Sequence, residues 1–464
     1  MQNIVLDDVI AAISTPVGAG GIGIVRMSGT GCIAIADKVF QSKSGKKLAE
    51  KSSHTVTYGI VVNPSNGEFV DEVLAVVMKA PNTYTKEDIV EINCHGGILV
   101  VRAILELLLQ NGARLAEPGE FTKRGFLNGR IDLTQAEAVI DLIHSKTELG
   151  RKSAMKQLEG HLAKKVRALR QEVLDMIAGI EAAIDYPEHD VEEETRAVML
   201  QKSEYLLKQI NSLLRSADKG KIIQEGLQTV IVGKPNVGKS SLLNYFLQEE
   251  RAIVTDIPGT TRDTVEEYIN LDGIPIKLID TAGIRDTSDV VEKMGVEKSK
   301  EYAQNADLIL MMIDASRPLD AEDKEILDMI QQKRSIILLN KVDLDTKIKQ
   351  QELLPYTENG TIISLSVKEE KGMEELVKKI KELFLGDENT LVGEEILGNT
   401  RHKTVLFHAK EAMERVIATI ESGMPEDFIS MDLQEANQLL GEITGDSVDE
   451  EIIDRIFTKF CLGK

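Results

Sequence analysis

The chain has 464 residues, which is long for a single hydrophobic core and predicts two to four domains. Apolar residues make up 42% of the chain and charged residues 28%, a balance typical of a globular protein. Asp and Glu total 76 against 55 Lys and Arg, and the resulting net charge of −21 excludes a protein that coats nucleic acid in bulk.

Cysteine spacing and hydropathy exclude further classes of protein. Cys32, Cys94 and Cys461 lie far apart and indicate neither a disulfide framework nor a zinc site. The amino terminus lacks the basic and apolar regions of a signal peptide. The longest apolar run, 308–313, is too short to span a bilayer, so we expect a cytoplasmic protein without a membrane partner.

The first 118 residues predict a mixed α/β domain with four strands followed by one helix. The strand candidates are Gly23–Met27, His54–Tyr58, Val70–Lys79 and Ile89–Asn93, and the helical pattern covers Ile98–Leu109. Glycines at 18, 20, 21 and 23 resemble a dinucleotide-binding fingerprint only loosely and are better explained by a glycine-rich loop before a strand. His95 has no companion cluster, so we expect a structural histidine beside a tight turn.

Residues 119–222 and 386–464 predict helices on both sides of the centre of the chain. Capping-box spacing occurs at Thr134–Glu137 and at Ser447–Glu450. The stretch Arg151–Arg170 is rich in Lys and Arg, which fits either an RNA-facing surface or, more commonly, a solvated helix face. Because the two helical segments flank a self-contained unit, we expect a discontinuous helical domain with an inserted domain.

Residues 223–385 alternate strands with helices, which predicts a mostly parallel sheet covered by helices on both faces. The strand candidates are Leu227–Val232, Ile274–Ile279, Asp307–Ile313, Ile336–Leu339 and Thr361–Leu365. Asp272-Gly273, between two apolar runs, predicts the one hairpin. The overall fold class is therefore multidomain, with α+β, all-α and inserted α/β parts.

The segment Gly233-Lys-Pro-Asn-Val-Gly-Lys-Ser240 lies between the apolar run Val230–Val232 and a helical pattern, as a P-loop requires. Its glycines let backbone N–H groups converge on phosphate oxygens. Lys239 would reach the terminal phosphates, and the Ser240 hydroxyl would bind Mg²⁺. The segment therefore predicts binding of a nucleoside triphosphate.

Two further motifs follow predicted strands and define the nucleotide. Asp280-Thr-Ala-Gly283 would support Mg²⁺ and read the γ-phosphate. The carboxylate of Asn340-Lys-Val-Asp343 would accept hydrogen bonds from N1–H and the 2-amino group of guanine, which adenine does not offer. The loop Ser364–Lys368 is expected on the other side of the base, and Thr260 or Thr261 would close over Mg²⁺ as a switch. The nucleotide is therefore GTP.

The position after Gly283 is Ile284, whereas Ras-type GTPases carry a water-orienting glutamine there. Hydrolysis must then use another polar group, and Arg285, Asp286, Asp289 and Glu292 are the candidates downstream. We favour Glu292 on the resemblance that follows. The alternative is an acid that only stabilises a helix start.

Motifs along the whole chain resemble the MnmE (TrmE) family of tRNA-modification GTPases. They are the P-loop, the switch segment Thr255-Asp-Ile-Pro-Gly-Thr-Thr-Arg-Asp263, the segment Pro118–Asn128 and the terminal Cys461-Leu-Gly-Lys464. The resemblance implies an amino-terminal domain that binds folate and dimerises (1–118), a helical domain (119–222 and 386–464) and an inserted G domain (223–385) that dimerises during turnover.

On the matching positions, the resemblance assigns a GTP site, two metal sites and a water-positioning residue. The GTP-binding residues would be Asn236, Val237, Gly238, Lys239, Ser240, Ser241, Thr255, Asp256, Ile257, Pro258, Gly259, Thr260, Thr261, Asp280, Thr281, Ala282, Gly283, Asn340, Lys341, Asp343, Ser366, Val367 and Lys368. Asn236, Thr255, Ile257 and Thr260 would bind K⁺, and Ser240 and Thr261 would bind Mg²⁺. Glu292 would position the attacking water.

The resemblance also implies a folate site formed by Arg26, Glu91, Arg130 and Lys464. Arg130 stands where relatives can carry lysine, which keeps the charge but not the geometry. The one-carbon donor would be a 5-formyl- or 5,10-methylene-tetrahydrofolate. Cys461 is either a reactive thiol or a thiol packed at the end of an amphipathic helix.

Similar proteins act with an FAD-dependent partner, MnmG, as a heterotetramer that modifies C5 of the wobble uridine of tRNAs. FAD would then be bound by the partner only. Two alternatives are a ribosome-assembly GTPase of the same branch and a folate-dependent one-carbon enzyme in which GTP is a switch. A ribosome-assembly GTPase predicts a basic RNA-binding appendage, and the flanks of the G domain are acidic overall.

Overall fold

The computed structural model describes residues 8–16, 18–185, 192–247, 252–253, 267–278, 306–331, 333–357, 361–386 and 397–464. The chain divides into two units, each with its own core. Unit 1 comprises Met1–Ile140, Gln157–Ser203 and Glu411–Lys464, and unit 2 comprises Asp141–Lys156 and Glu204–Lys410. The predicted domain boundaries stay predictions.

In unit 1, seven strands of the described part form a sheet of order β3-β4-β5-β6-β2-β1-β7, antiparallel except for the β1–β7 pair. The strands are β1 Ile10–Ile13, β2 Gly20–Ser28, β3 Phe40–Ser42, β4 Thr55–Val62, β5 Phe69–Met78, β6 Ile89–Gly96 and β7 Arg114–Leu115. Helices α1 (Cys32–Val39) and α2 (Ile98–Gln110) bury their apolar residues in the same cluster as one face of this sheet.

The predicted glycine-rich loop is wrong for Gly20 and Gly21, which lie within β2, whereas Gly23 lies in a strand as its place in the strand candidate Gly23–Met27 predicts. A side chain at Gly23 would approach Cγ1 of Val101 to 2.3 Å, so glycine allows α2 to pack closely on the sheet. His95 lies in β6 and not in a turn, and its Nδ1 is 2.7 Å from Oδ1 of Asp71. This pairing raises the pKa of His95 and fits a structural histidine.

The helices outside the two sheets are α3 Glu120–Leu127, α4 Leu133–His144, α5 Glu148–Leu158, α6 His161–Asp185 and α7 Glu192–Glu225. Those near the end of the chain are α11 Thr400–Glu421, α12 Glu426–Thr444 and α13 Glu450–Phe457. In unit 1, α6 packs along α12, and Arg170 of α6 donates to Asn437 (2.9 Å) and to Asp446 (2.7 Å). None of the described helices is long and apolar enough to cross a membrane.

Both predicted capping boxes are wrong. Asp132 precedes α4: its Oδ1 accepts from Gln135 N–H at 3.0 Å, and the Gln135 side chain accepts from Asp132 N–H at 3.0 Å. The box is therefore displaced by two residues from Thr134, which lies inside the helix. Helix α13 begins at Glu450, and Ser447 lies before its start as a weak acceptor for Arg170 at 3.5 Å.

In unit 2, seven described strands form a sheet of order β14-β13-β12-β8-β11-β10-β9, of which β8 and β11 to β14 are parallel. The strands are β8 Leu227–Val232, β9 Ala252–Ile253, β10 Glu267–Leu271, β11 Ile274–Leu278, β12 Leu308–Asp314, β13 Ser335–Asn340 and β14 Ile362–Ser364. The predicted parallel strands match within one residue at each end, and the predicted β10–β11 hairpin is confirmed. Buried parallel strands are easily recognised because they are continuous apolar runs.

Helices cover both faces of this sheet, as predicted. Helices α8 (Lys239–Leu247) and α10 (Met373–Phe384) contribute to one apolar cluster, and α9 (Ala321–Ile330) contributes to the cluster on the other face. The nucleotide loops follow the carboxyl ends of β8, β12 and β13, where open α/β sheets bind their ligands.

A fully buried guanidinium joins three distant segments of unit 1. Arg124 of α3 donates to Asp8 at 2.6 Å, to Glu120 at 3.0 Å and to Glu87 at 3.3 Å. Arg114 also donates to Glu120 and Asp8. Burial alone would raise the pKa of Glu120, but the hydrogen bonds from Arg114 and the neighbouring backbone and arginine lower it. The two arginines therefore keep the Glu120 carboxylate ionised in a buried position.

We predict that Arg124→Met destabilises unit 1 by about 3–5 kcal/mol, because it leaves the largely buried Glu87 without its cation, whereas Asp8 and Glu120 keep only Arg114 of the described cations. Hydrogen exchange of the β1 and β2 amides should then accelerate relative to the sheet of unit 2. Arg151→Met is the control, since Arg151 is exposed and pairs only with Glu148 in the described part. Equal protection of β1 and β2 in the two variants would contradict a supporting role for Arg124.

Candidate functional site

The P-loop connects β8 to α8 and is shaped by two glycines. Gly233 (φ 143°) and Gly238 (φ 112°) both have backbone conformations that disfavour a side chain. A Cβ at Gly233 would lie 2.3 Å from the carbonyl oxygen of Met312, and one at Gly238 would lie 2.2 Å from Nδ2 of Asn340. The loop can therefore rest on the ends of β12 and β13 only with glycine at these positions.

Lys239 is the first residue of α8, and its ammonium points back into the loop. Its Nζ donates to the carbonyl of Gly233 at 2.6 Å and to that of Lys234 at 2.7 Å. Ser240 and Ser241 follow in the exposed first turn of α8. A helix amino terminus whose first residue is a lysine turned back into the preceding loop is a site for phosphate groups, because N–H donors and positive charge converge there.

Asn340 holds the P-loop and a second loop together. Its buried side chain donates from Nδ2 to the carbonyl of Val237 at 2.7 Å and accepts at Oδ1 from Val367 N–H at 3.1 Å. Val237 and Val367 are themselves buried. Asn340 therefore positions the loops around the nucleotide with its side-chain amide.

The next residue, Lys341, makes a second connection to the P-loop. Its Nζ donates to the carbonyl of Asn236 at 2.9 Å and to Oδ2 of Asp314 at 2.6 Å. Sequence motifs did not single out Asp314. The sequence feature that could have indicated Asp314 is its position at the end of the apolar run of β12, in the strand next to the one that ends at Asn340.

Asp343 and Ser366, the predicted base-reading residues, are hydrogen-bonded to each other. The Ser366 hydroxyl donates to Oδ1 of Asp343 at 2.7 Å and accepts from Glu369 N–H at 3.3 Å. The hydrogen bond from Ser366 lowers the pKa of Asp343, so the exposed carboxylate is ionised at neutral pH. Lys368 is exposed on the same loop. An ionised, oriented carboxylate is the acceptor that the two N–H donors of guanine require.

Several predicted site residues lie outside the described residues. They are Thr255, Asp256, Ile257, Pro258, Gly259, Thr260, Thr261, Asp280, Thr281, Ala282, Gly283 and Glu292. Among the described ones, Asn236 is exposed in the P-loop with a left-handed backbone (φ 62°).

A second group of predicted residues meets in unit 1, at the end of the chain. Arg26 of β2 donates to Glu91 of β6 at 2.8 Å, and its guanidinium lies 5.7 Å from the ring centroid of Phe121. The carboxyl-terminal Cys461–Lys464 segment lies beside this pair: Arg26 contacts the Gly463 carbonyl at 3.5 Å. Burial, and then the charge of Arg26, lower the pKa of the Lys464 side chain.

Backbone contacts hold this terminal segment in place. The Ser14 hydroxyl donates to the Gly463 carbonyl at 3.2 Å, and Thr122 N–H donates to the Lys464 carbonyl at 3.0 Å. Gly463 has φ 87°, and a Cβ there would lie 2.3 Å from the carbonyl oxygen of Ile13. The terminal segment can therefore dock on the strand only with glycine at this position.

Arg130 is linked to the same place through an aromatic side chain. Its guanidinium lies 4.6 Å from the centroid of the Tyr84 ring, and the Tyr84 hydroxyl is 3.0 Å from the hydroxyl of Thr122. A planar guanidinium suits this stacking better than an ammonium. The departure from lysine therefore has a local partner, Tyr84, which sequence motifs had not indicated.

The interpretation of Cys461 as a packed thiol is wrong. Helix α13 ends at Phe457, and Cys461 lies beyond it with an exposed side chain. Its carbonyl accepts from Lys464 N–H at 3.3 Å within the docked terminal segment. Cys32 and Cys94 are buried instead, and burial raises the pKa of these thiols to about 12 and about 11.

The parallel sheet, the glycine-shaped P-loop and the oriented Asp343 define a P-loop GTPase. Two family models match this chain: the MnmE helical domain over residues 133–461 and the GTP-binding protein TrmE N-terminus over residues 9–130. The chain belongs to the MnmE (TrmE) family of tRNA modification GTPases.

Curated relatives match over nearly the full length. The tRNA modification GTPase MnmE of Geobacillus kaustophilus is 52% identical over 98% of this chain and 99% of its own length. That of Clostridioides difficile is 52% identical over 99% of this chain and 100% of its own length. Among solved structures, a variant of Era from Aquifex aeolicus bound to GDP·AlF₄⁻ is 31% identical to this chain. The match covers 40% of this chain and 67% of the Era chain, and its TM-score of 0.26 is too low to support a functional argument.

We predict that Asp343→Asn changes the base preference from guanine toward xanthine, because the amide offers a donor where guanine needs an acceptor. The ratio of GDP to XDP affinity should change by roughly two orders of magnitude or more. Competition binding measures this ratio, and Asp345→Asn, the same change at an exposed position two residues on, should leave it unaltered. An unchanged preference in Asp343→Asn would overturn the base-reading role.

Proposed function

We propose that this GTPase takes part in C5 aminomethyl or carboxymethylaminomethyl modification of the wobble uridine of tRNAs. The observation that supports this most is that one chain carries a guanine-nucleotide site in unit 2 and, in unit 1, a cluster of the charged residues Arg26, Glu91 and Lys464, where we propose a ligand pocket. Curated relatives of nearly the same length are named for tRNA modification. GTP hydrolysis at the first site drives a conformational change, and the second site holds the one-carbon donor.

In the GTPase reaction, Asp343 holds guanine and Lys239 holds the terminal phosphates. Ser240 and Thr261 would hold Mg²⁺, which would supply positive charge next to the phosphates. Because Ile284 cannot orient water, Glu292 positions the attacking water. Thr261 and Glu292 lie outside the described residues, so these two roles derive from the family resemblance.

The P-loop fits a monovalent cation at Asn236. Its amide oxygen is a hard ligand, and its exposed, left-handed position places the side chain at the outer edge of the phosphate loop. Asn236 would hold a K⁺ ion there, and the ion would supply positive charge against the charge that develops on the phosphates. Thr255, Ile257 and Thr260 complete the proposed ligand set outside the described residues.

The pocket of unit 1 fits a tetrahydrofolate derivative, either 5-formyl or 5,10-methylene. A pterin ring offers an N–H and an adjacent amino group, which the carboxylate of Glu91 can accept, while Arg26, Arg130 and Lys464 can bind the carboxylates of the tail. Bound folate supplies a carbon for transfer to the uridine. Cys461 is exposed next to this pocket, which favours a chemical role over a packing role.

The proposed partners are those that the family resemblance implies. An FAD-dependent MnmG-like protein supplies the redox cofactor in a heterotetramer, and tRNA is the substrate. The chain forms a homodimer through its amino-terminal domain, and its G domains dimerise during turnover. The reaction takes place in the cytoplasm.

We predict that cells lacking this chain lose the C5 group from wobble uridines, as measured by mass analysis of tRNA nucleosides. Wild-type protein should restore it. Glu292→Ala should bind GTP with unchanged affinity and yet fail to restore modification, because hydrolysis is lost. Lys324→Ala, at an exposed position of α9, is the matched control and should restore it fully. Unaltered wobble uridines in the deletion strain would contradict the proposal.

We predict that GTP turnover at equal ionic strength is roughly 10- to 100-fold faster in K⁺ than in Na⁺, because the larger cation completes the phosphate environment. Steady-state phosphate release measures both rates. Asn236→Ala should abolish the difference, whereas Asn244→Ala, an exposed asparagine of α8, should retain it. Equal wild-type rates in the two salts would remove the cation from the mechanism without affecting GTP binding.

A further inference from the structure

Asp314 is a buried carboxylate next to the nucleotide loops that the sequence motifs leave unexplained. We propose that Asp314 is a positioning residue for guanine nucleotides. It holds the Lys341 ammonium against the Asn236 carbonyl and so fastens the guanine-reading loop to the P-loop. This inference rests on GTP binding and is independent of the K⁺, folate and tRNA proposals.

The sheet register places Asp314 where it can act on both loops. Strands β12 and β13 are parallel neighbours, and Asp314 pairs with Asn340, the residue immediately before Lys341. Asp314 is only 8% exposed, although it ends a strand at the ligand-binding edge of the sheet. A buried acid at this edge needs partners that satisfy its charge.

Both carboxylate oxygens of Asp314 have defined donors. Oδ1 accepts from the N–H of Ser316 at 3.0 Å and from its hydroxyl at 2.7 Å. These two bonds orient the carboxylate, and Oδ2 is then 2.6 Å from Nζ of Lys341. Burial alone would raise the pKa of Asp314, but the hydrogen bonds from Lys341 and Ser316 lower it. The Asp314 carboxylate is therefore ionised at neutral pH.

Lys341 uses the same ammonium to reach the P-loop, where Nζ donates to the Asn236 carbonyl at 2.9 Å. Lys341 (φ 65°) and Asn236 (φ 62°) both have left-handed backbones, which cost energy for residues with a Cβ and persist only where neighbouring contacts hold them. The ammonium bridges these two strained positions. The Lys341 side chain is one-third exposed and therefore has room to turn toward solvent. The carboxylate of Asp314 keeps the ammonium from doing so.

The Asp314–Lys341 pair complements the Asn340 amide. Asn340 binds the Val237 carbonyl inside the loop, whereas Lys341 binds the Asn236 carbonyl at its outer edge. A guanine nucleotide touches the P-loop with its phosphates and Asp343 with its base. Loops that are fastened to each other are preorganised for a ligand that spans both, and loss of preorganisation lowers affinity mainly by faster release.

The test is release of a fluorescent N-methylanthraniloyl GDP from the full chain in stopped-flow. Asp314→Asn should accelerate release about tenfold, as expected for loss of one charge-assisted hydrogen bond. Lys341→Met should do the same, and the double variant should be no faster than the faster single variant. Asp314→Glu, which keeps the charge, should retain part of the slow release of the wild-type protein. Asp345→Asn is the control for charge and should release GDP at the wild-type rate.

Inorganic triphosphate distinguishes a loss of loop positioning from a general collapse of the nucleotide site, because it contacts the P-loop but not the base-reading loop. In competition binding, its affinity should be unchanged in Asp314→Asn while that of GDP falls. Equal losses for GDP and triphosphate would overturn the proposal, as would additive effects in the double variant. If Asp314→Asn does not fold, as judged by thermal unfolding, the Lys341→Met variant with the same two ligands decides the question.

Discussion

The side-chain amide of Asn340 donates to the P-loop at Val237 and accepts from the base loop at Val367, and the rest of the nucleotide site depends on this buried bridge. Because the amide occupies the space beside Gly238, no side chain fits there, and the phosphate loop takes its shape from that contact. Leaving a buried polar group without a hydrogen-bond partner costs more free energy than the hydrogen bond itself contributes. The Asn340 amide therefore holds both loops together and does not hold one without the other. Nucleotide binding is therefore preorganised by the sheet through β13 and not by the loops alone.

A different principle organises unit 1, where charge is buried and compensated. Arg124 has no exposed surface and gathers carboxylates from the amino terminus, from the loop before β6 and from its own helix. Such a network favours one arrangement of the segments, because Glu87 would be largely buried without a cation if it lost the guanidinium. Helix α3 is thereby held beside β1, and Thr122 of that helix binds the carboxyl-terminal residue. The charged cluster around Arg26 thus includes contacts from the carboxyl-terminal segment.

How far the sequence predicts the fold differs between the two units. The parallel strands of unit 2 were predicted within one residue, because fully buried strands are continuous apolar runs between turn signals. In unit 1, β1, β3, β7 and α1 were not predicted, since runs of two to eight residues carry too little periodicity. The capping box of α4 was misplaced by two residues, because Asp132 and Thr134 are both suitable caps and only the helix start at Leu133 distinguishes them.

The sequence by itself determined the ligand class. The P-loop and the Asn340–Asp343 motif specify a guanine nucleotide, and Ile284 excludes the glutamine mechanism. Each of these signals is local in the sequence, so its chemistry can be recognised without knowledge of the fold. Only the tertiary structure decided the contacts among distant residues, such as Asp314 with Lys341 and Arg26 with the Gly463 carbonyl. Those contacts depend on strand register and on the docking of the chain terminus, which bring together side chains that no local pattern relates. The exposed position of Cys461 was decided in the same way, since the end of α13 sets it outside the core.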